Sequence, residues 1–577
     1  MRILFLTHGF NSLSQRLYAE LTADGHELSV EFDIRDSVAE EAVALFAPEV
    51  VLAPFLKRAI PPSIWQRCLC LVVHPGIVGD RGPSALDWAI QEGEQEWGVT
   101  VLQANAEMDA GDVWASRTFP MRAAAKAGLY RREVTESALA CVREALSRVV
   151  DWRLGRWRPT HLAEAGGRGR QRPPMRQRDR CIDWQRDDTA TVLARLRAAD
   201  GLPGVADALF GEPCHLFDAH PGPRDAGVEP GACIARRDGA ILRATADGSV
   251  WIGHVRRQGA AQMLKLPATV AFAEQAAALP ERPAALMRAA DDYGELHYRE
   301  SADGCVGFLA FDFYNGAMST EQCRRLEAAI RRVAERPTRV LVLTGGLEFW
   351  SNGIHLSRIE AAESAADESW ANINAMDDVC AAVIGLTDRL TVAALRGNAG
   401  AGGCFLALAA DLIWAHPGVV LNPHYKNMGN LYGSEYWTYL LPRRMAAEPA
   451  RRLVEGRLPV RAADAAVMGL IDGCFGRAGD DFAVQMRAQA RQLAADPALP
   501  ARLEAKRARR TADEAAKPLA RYRDEELVRM HRNFYGFDPS YHVARYHFVH
   551  KTPQSWTPRH LARHRAPSGC RAGGMAA

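Results

Sequence analysis

Short apolar runs alternating with polar, helix-spaced stretches organise the N-terminal part of the chain. Arg2–Leu6, Leu28–Phe32, Val50–Ala53 and Leu71–Val73 are mostly apolar segments of strand length, and Arg2–Leu6 has the pattern of a buried, parallel strand. Between the first two, Leu17 and Leu21 share a helical face behind Ser12 or Ser14 as a cap. Strands alternating with helices predict a parallel sheet covered on both faces, with ligands bound beyond the carboxyl ends of its strands. No G-x-G-x-x-G follows the first strand, so no dinucleotide is signalled. Leu139, Val142, Leu146 and Val149 give Val134–Val150 one apolar face, predicting the helix that closes this first domain, residues 1–152.

The pattern then changes. Residues 153–180 are rich in Arg, Gly and Pro and read as an exposed linker, with a nucleic-acid arm as the other reading. Residues 181–266 open with a helix and a Pro/Gly stop. Short strand-like segments follow at His215–Phe217, Ala232–Ile234, Ala240–Ala244 and Ser249–Gly253. Residues 267–290 are Ala-rich and predict a helical connector broken at Pro280 and Pro283. In residues 291–495, His297–Glu300 and Val306–Phe311 are predicted strands. Ser319 and Gln322 form a capping box ahead of a helix that buries Cys323, Leu326, Ile330 and Val333. Residues 496–577 are charged and helical at first, then aromatic (NFYGFDPSYHVARYHFVHK). That aromatic stretch must pack on another domain or a partner, and the last dozen residues read as disordered.

At 577 residues, three or four domains are expected. A net charge of +2 names no partner. The 12 cysteines show no C-x-x-C pair and no zinc spacing, so reduced thiols in a cytoplasm are the simplest reading. The apolar run of MRILFLTHGF is too short for a signal peptide, and Cys404–Ala415 falls short of a membrane span. A cytoplasmic enzyme with small-molecule substrates is expected, with no metal, no membrane and no nucleic acid.

The candidate chemistry centres on Leu395–Glu435, which holds Gly397, Gly400, Gly402 and Gly403 between a predicted strand, Thr391–Leu395, and a small-residue helix, Cys404–Ala410. A glycine turn there leaves backbone N–H groups open to a negative oxygen. A similar turn, GGLEFWSNGIHL, follows the strand Arg339–Thr344. Two such turns can hold one carbonyl oxygen as an oxyanion hole. In order and spacing, Asp291–Phe475 resembles the crotonase (enoyl-CoA hydratase/isomerase) superfamily. The resemblance implies a coenzyme A thioester, N–H donors at Ile354 and Gly402, and Gly353 and Gly403 beside the cofactor. It also implies a departure, because the two glutamates of typical hydratases fall on Phe405 and Tyr425. Tyr425 and Glu435, ten residues apart across a Gly-rich turn, form a candidate acid/base pair instead.

In the first domain, His74 ends a predicted strand and EMDAGDVW places Asp109 and Asp112 around a tight turn. A His and an Asp at strand ends can share a proton and polarise a carbonyl. The passage Leu71–Trp114 resembles the folate-dependent formyltransferases, and residues 181–266 resemble their small β-barrel-like C-terminal domain. The resemblance implies 10-formyl-tetrahydrofolate as donor, with His74 and Asp109 catalytic. The family's catalytic Asn falls on Val72. Either transfer is slower, another donor substitutes, or the domain binds formyl-folate without the standard chemistry.

The expected fold class is therefore multidomain α/β: a parallel-sheet formyltransferase-like domain, a small β-barrel-like domain, and a crotonase-like α/β domain with a helical tail. The pairing resembles the HypX/HoxX family of [NiFe]-hydrogenase maturation factors, which implies carbon monoxide production and hydrogenase maturation proteins as partners. On that reading the two sites share a cavity and a formyl thioester passes between them. Two other readings stand beside it: a formyltransferase for a tRNA or sugar amine with a CoA-sensing domain, and a non-enzymatic ligand carrier.

Overall fold

The computed structural model describes residues 1–224, 227–259, 263–289, 291–477 and 479–566; the segment from 567 onward, expected to be disordered, lies outside them. Contacts divide the chain into two compact units. One comprises Met1–Asp183, Ala190–Ala206 and Pro553–Ala577, the other Trp184–Thr189 and Asp207–Thr552.

The first unit is built on strands β1 (Arg2–Thr7), β2 (Glu27–Phe32), β3 (Val50–Ala53), β4 (Cys70–His74), β5 (Glu96–Gln103) and β6 (Val113–Pro120). They lie in the order β2-β1-β3-β4-β5-β6. The parallel sheet that was expected holds from β2 to β4, but β5 and β6 run antiparallel to their neighbours. The loop 104–112 between β5 and β6 is too short for a parallel crossover. Asn11, rather than Ser12 or Ser14, caps the first helix, Ser12–Ala23, accepting from Ser14 N at 3.0 Å. The helix Thr135–Arg153 buries Leu139, Val142, Leu146 and Val149.

Most residues of the Arg/Gly/Pro stretch are exposed, but the stretch is tied along the first unit. Gly169 N donates to Val78 O (3.0 Å), Arg172 N to Arg81 O (2.9 Å) and Trp88 Nε1 to Pro173 O (3.0 Å). A Cβ on Gly167 would sit 2.0 Å from Val78 O, so glycine is what lets this strand of chain lie flat. Its arginines meet acidic partners of the same unit: Arg168 pairs with Glu94, Arg170 with Glu92, and buried Arg180 with Asp87. The C-terminal segment covers the edge strand β2. Val30 N donates to Leu561 O (3.0 Å), Phe32 N donates to Thr557 Oγ1 (2.8 Å), and buried Glu31 meets His564 (2.9 Å) and Arg565 (2.8 Å).

In the second unit the small β domain is an antiparallel sheet with neighbours Glu212–Pro221, Ser249–Arg257, Ala240–Ala244 and Cys233–Arg237. Among the described residues it is open, not barrel-like. Residues 280–282 occupy its outer edge, with Arg236 N donating to Pro280 O and Arg282 N to Arg236 O, each at 3.0 Å. The connector is helical only over Ala268–Ala271 and Ala273–Ala277; regular structure ends ahead of Pro280.

The crotonase-like sheet orders Leu296–Glu300, Val306–Phe311, Val340–Thr344, Leu390–Leu395, Leu412–Ala415 and Gly473–Cys474. The Ser319/Gln322 capping box forms, starting the helix Thr320–Ala334. A second sheet joins Phe349–Ser351, Asn398–Gly400, Val420–Asn422 and Val460–Arg461. Tail helices Leu499–Ala516, Leu519–Tyr535 and Ser540–Val549 follow. Part of the aromatic stretch packs within this unit: Phe534 and Tyr541 are buried, and Tyr541 Oη lies 2.7 Å from Ser369 Oγ, while Phe537 stays exposed.

Candidate functional site

The two glycine turns of the crotonase-like domain come together because the strands preceding them pair. Phe349–Ser351 runs parallel to Asn398–Gly400, so the chain leaves both on the same side. Gly353 (φ 79°) approaches so closely that a Cβ on it would lie 3.3 Å from Gly402 N. A Cβ on Gly403 would fall 2.0 Å from Ser351 O. Trp350 Nε1 fixes the approach by donating to Gly403 O at 2.9 Å. Ala401 is held at φ 46° as the chain turns into the helix Gly402–Leu408, a backbone region that costs a non-glycine residue energy. Ile354 lies in the two-residue parallel bridge with Ala317–Met318.

Tyr425 and Glu435 meet, both buried. Tyr425 Oη donates to Glu435 Oε2 at 2.5 Å and lies 3.0 Å from Ser434 O. Glu435 Oε2 also accepts from Ser434 N (3.2 Å). Its other oxygen, Oε1, stands over Gly402, where a Cβ would be 2.1 Å away. The predicted acid/base pair and one predicted oxyanion donor therefore share one spot. Phe405 stacks flat on the Tyr425 ring, with centroids 5.1 Å apart at 12°. Gly433 lets the ring's other edge in, since a Cβ there would be 2.0 Å from Tyr425 Cε2. Burial, then the charge of Asp377, pushes the Glu435 carboxyl up to about 8. Burial, then Glu435, pushes the Tyr425 phenol well above its ordinary value.

Sequence reasoning missed the groups behind Glu435. Glu435 N donates to Asp377 Oδ1 (2.7 Å), and Tyr436 N donates to Glu526 Oε2 (3.0 Å). Glu526 belongs to the tail helix Leu519–Tyr535, which buries Leu527, Met530 and Phe534. A signal was present: Glu526 stands one turn before Met530, on the same face.

In the first unit, His74 is the last residue of β4. Its Nδ1 lies 3.6 Å from Asp109 Oδ1, so the predicted pair is brought together. Its Nε2 lies 2.9 Å from Asp80 Oδ2, a buried carboxylate not singled out from sequence. Asp109 (φ 57°) accepts from Gly82 N at 3.3 Å. Gly76 has to be glycine, because a Cβ would fall 2.4 Å from His74 Nε2. Asp109 opens onto a cleft of about 560 Å³ that Arg81, Glu107, Gln171 and Arg172 also line. The stretch read as a linker thus supplies one wall. Asp112 is not among the residues lining that cleft; its backbone carbonyl accepts from Gln103 N (2.9 Å).

Among the described residues, no group of His, Cys, Asp or Glu is arranged to hold a metal ion, and no helix is long and apolar enough to cross a membrane. The cysteines described there are free.

Three family profiles match along the chain. The formyl transferase profile matches residues 1–146, that of the formyl transferase C-terminal domain residues 174–265, and that of enoyl-CoA hydratase/isomerase residues 314–559. Methionyl-tRNA formyltransferase of Desulfotalea psychrophila is 27% identical over 39% of this chain and 68% of its own. Hydrogenase maturation factor HoxX of Bradyrhizobium diazoefficiens is 56% identical over 98% of this chain and 97% of its own. The crystal structure of HypX from Aquifex aeolicus in complex with tetrahydrofolic acid superposes with a TM-score of 0.94 at 47% identity, covering 98% of this chain and 99% of that one. Formyl transferase and enoyl-CoA hydratase/isomerase parts thus occur together along one relative's whole length, and the chain belongs to the HypX/HoxX family of hydrogenase maturation factors.

Proposed function

We propose that this protein makes carbon monoxide for the iron of [NiFe]-hydrogenase, in a cytoplasm and alongside other maturation proteins. A formyl group passes from 10-formyl-tetrahydrofolate to the thiol of coenzyme A, and the formyl thioester then splits into carbon monoxide and free thiol. In the first step the N–C(formyl) bond breaks, the S–C(formyl) bond forms, and the thiol proton ends on the folate nitrogen. In the second step the C–H and C–S bonds break and the proton moves from carbon to sulfur. Neither step needs an oxidant or a metal.

The cleft of about 560 Å³ beside Asp109 is of the size that holds a small-molecule ligand, so folate fits there as one-carbon donor. His74 moves the protons of the transfer, and Asp109, with Asp80 on the other ring nitrogen, orients the imidazole. Val72 supplies no amide to the formyl oxygen. In the second unit the turns at Ile354 and Gly402 hold the thioester oxygen through backbone N–H groups, with Gly353 and Gly403 allowing close approach. Glu435, linked to Tyr425 at 2.5 Å, takes the formyl proton and returns it to sulfur.

The observation that carries this reading is the buried Tyr425–Glu435 pair over Gly402, with Phe405 where a hydratase keeps its glutamate. Phe405 cannot activate water, so the pocket suits proton transfer within the bound thioester. Purified protein given 10-formyl-tetrahydrofolate and coenzyme A should convert haemoglobin in the same vessel to its carbonyl form, and Glu435→Gln should abolish that signal. No carbonyl-haem, with both ligands shown to bind, would falsify the proposal.

A further inference from the structure

The residues flanking Glu435 are in an unusual state. Glu435 (φ 59°) and Tyr436 (φ 57°) are consecutive non-glycine residues in the left-handed region. Each such residue is strained and persists only where its surroundings fix it. Here the surroundings are two buried carboxyls from separate helices. Asp377, on the helix Ala365–Ile384, accepts Glu435 N at Oδ1 (2.7 Å) and Ser434 Oγ at Oδ2 (2.9 Å). Glu526, on the tail helix, accepts Tyr436 N at Oε2 (3.0 Å), and Thr438 N (2.8 Å) and Oγ1 (2.5 Å) at Oε1.

We propose that Asp377 and Glu526 are positioning residues for Glu435. They clamp the Ser434–Tyr436 turn from both sides and fix the Glu435 carboxyl between Tyr425 and Gly402. The inference rests on the reading that Tyr425 and Glu435 carry the chemistry.

Proton counting gives the clamp a second consequence. Ser434 Oγ lies 2.9 Å from Asp377 Oδ2 and 3.3 Å from Glu526 Oε2, but a hydroxyl has one proton to donate. Both contacts are favourable together only if one carboxyl is itself protonated. Asp377 has the nearby cation, Arg523 Nε at 3.6 Å, so the proton belongs on Glu526, donated to Ser434, which donates on to Asp377. Burial supports this: it raises Glu526 to about 8 despite the Thr438 hydrogen bonds, and Asp377 to about 7 despite Arg523. The groups facing Glu435 are then Tyr425 from its own loop, Asp377 and Cys380 from one helix, Cys323 from a second, and Glu526 from the tail, while Arg523 of the tail faces Asp377. Asp377 is the neighbour whose charge raises Glu435 most.

The test uses the full-length protein and two readouts. Asp377→Ala and Glu526→Ala should lower kcat for carbon monoxide release by roughly 100-fold, the scale of a misplaced reacting group, with KM for coenzyme A unchanged. Asp377→Asn, whose amide can accept Glu435 N and donate to Ser434, should restore most of kcat while moving the midpoint of the pH profile down. Independently of activity, infrared difference spectra across pH should show a protonated-carboxyl band that Glu435→Gln removes and whose midpoint Asp377→Asn lowers. Folded alanine variants with wild-type kcat and midpoint would overturn the proposal. Should they not fold, an unmoved infrared midpoint in Asp377→Asn would overturn it instead. A shifted band in a protein that releases no carbon monoxide would sink the proposed reaction and leave the clamp standing.

Discussion

Phe405 carries more information than any other single substitution in the second site. A glutamate there would place a second carboxylate against Tyr425; phenylalanine places an apolar ring 5.1 Å from the phenol ring instead. The stack fixes Tyr425 without titrating, and leaves Glu435 as the carboxyl that the phenol meets directly. Tyr425→Phe should preserve the stack and lose only the hydroxyl, lowering carbon monoxide release by roughly 100-fold or more, the range for losing one positioned proton-transfer group; single-turnover gas release measures it. The pH dependence follows from the same environment. Because burial and Asp377 raise Glu435 to about 8, the fraction able to accept the formyl proton grows as pH rises towards that value. Release should therefore fall about tenfold per pH unit below it, the apparent midpoint belonging to the coupled carboxyl cluster as a whole. A rate that is flat between pH 6 and pH 8, roughly two units over which the base form should change, would remove Glu435 as the base. At this scale the sequence was legible where a family position changed its residue, as at Phe405 and Tyr425. It was silent at Asp377 and Asp80, because a buried acid on a helix or in a turn has the same letter as a solvated one.

Elements were legible wherever local pattern decided them. Val306–Phe311 and Ala240–Ala244 form strands with the bounds read from sequence, and the Ser319/Gln322 box forms with its helix behind it. They were misread where a distant partner decided. The Arg-rich stretch after Arg153 reads as a solvated linker by composition; most of it is exposed, but Arg168, Arg170 and buried Arg180 pair with Glu94, Glu92 and Asp87 and glycines let it lie against Val78, which composition does not show. The edge strand β2 is another such case. Its alternating Ser29 and Glu31 read as part of a buried run, but Glu31 is tolerated there because residues 557–565 return to cover it. Burial pushes the Glu31 carboxyl up, while hydrogen bonds from His564, Thr557 and Arg565 outweigh it and hold the group below the usual carboxylate range. Removing both partners, His564→Ala with Arg565→Ala, should cost on the order of 3 kcal/mol, since it strips a buried carboxylate of its ion pair and of a second hydrogen bond. Denaturant melts monitored in the first unit would measure it. The sign of the pH effect is fixed as well: with a lowered folded value, the stabilisation is present above the ordinary glutamate value and is lost as pH falls through the folded one. A wild-type advantage over the double variant that did not shrink on acidification would place the stabilisation elsewhere.

For the molecule as a whole, the proposed chemistry makes each unit dependent on the other's product. The cleft beside Asp109, proposed for folate, lies in the first unit and the Tyr425–Glu435 pair in the second. A formyl thioester is an activated ester of a small acid, and water competes for it wherever it is released. Two single-site variants separate the halves. His74→Ala should make no carbon monoxide from 10-formyl-tetrahydrofolate, yet release it from formyl-CoA supplied directly. Glu435→Gln should consume 10-formyl-tetrahydrofolate in the presence of coenzyme A and yield formate in place of gas. Mixing the two variants then asks whether the thioester leaves the protein that made it. If it is retained, the mixture stays far below the wild type at equal site concentration, and formate accumulates. If the mixture recovers wild-type gas release, the intermediate diffuses freely, and fusion of a formyl transferase part to a crotonase-like part confers no protection on it. The measurement pairs carbonyl-haem absorbance with a formate assay on the same sample, so hydrolysis and decarbonylation are counted against one another from a common supply of formyl groups.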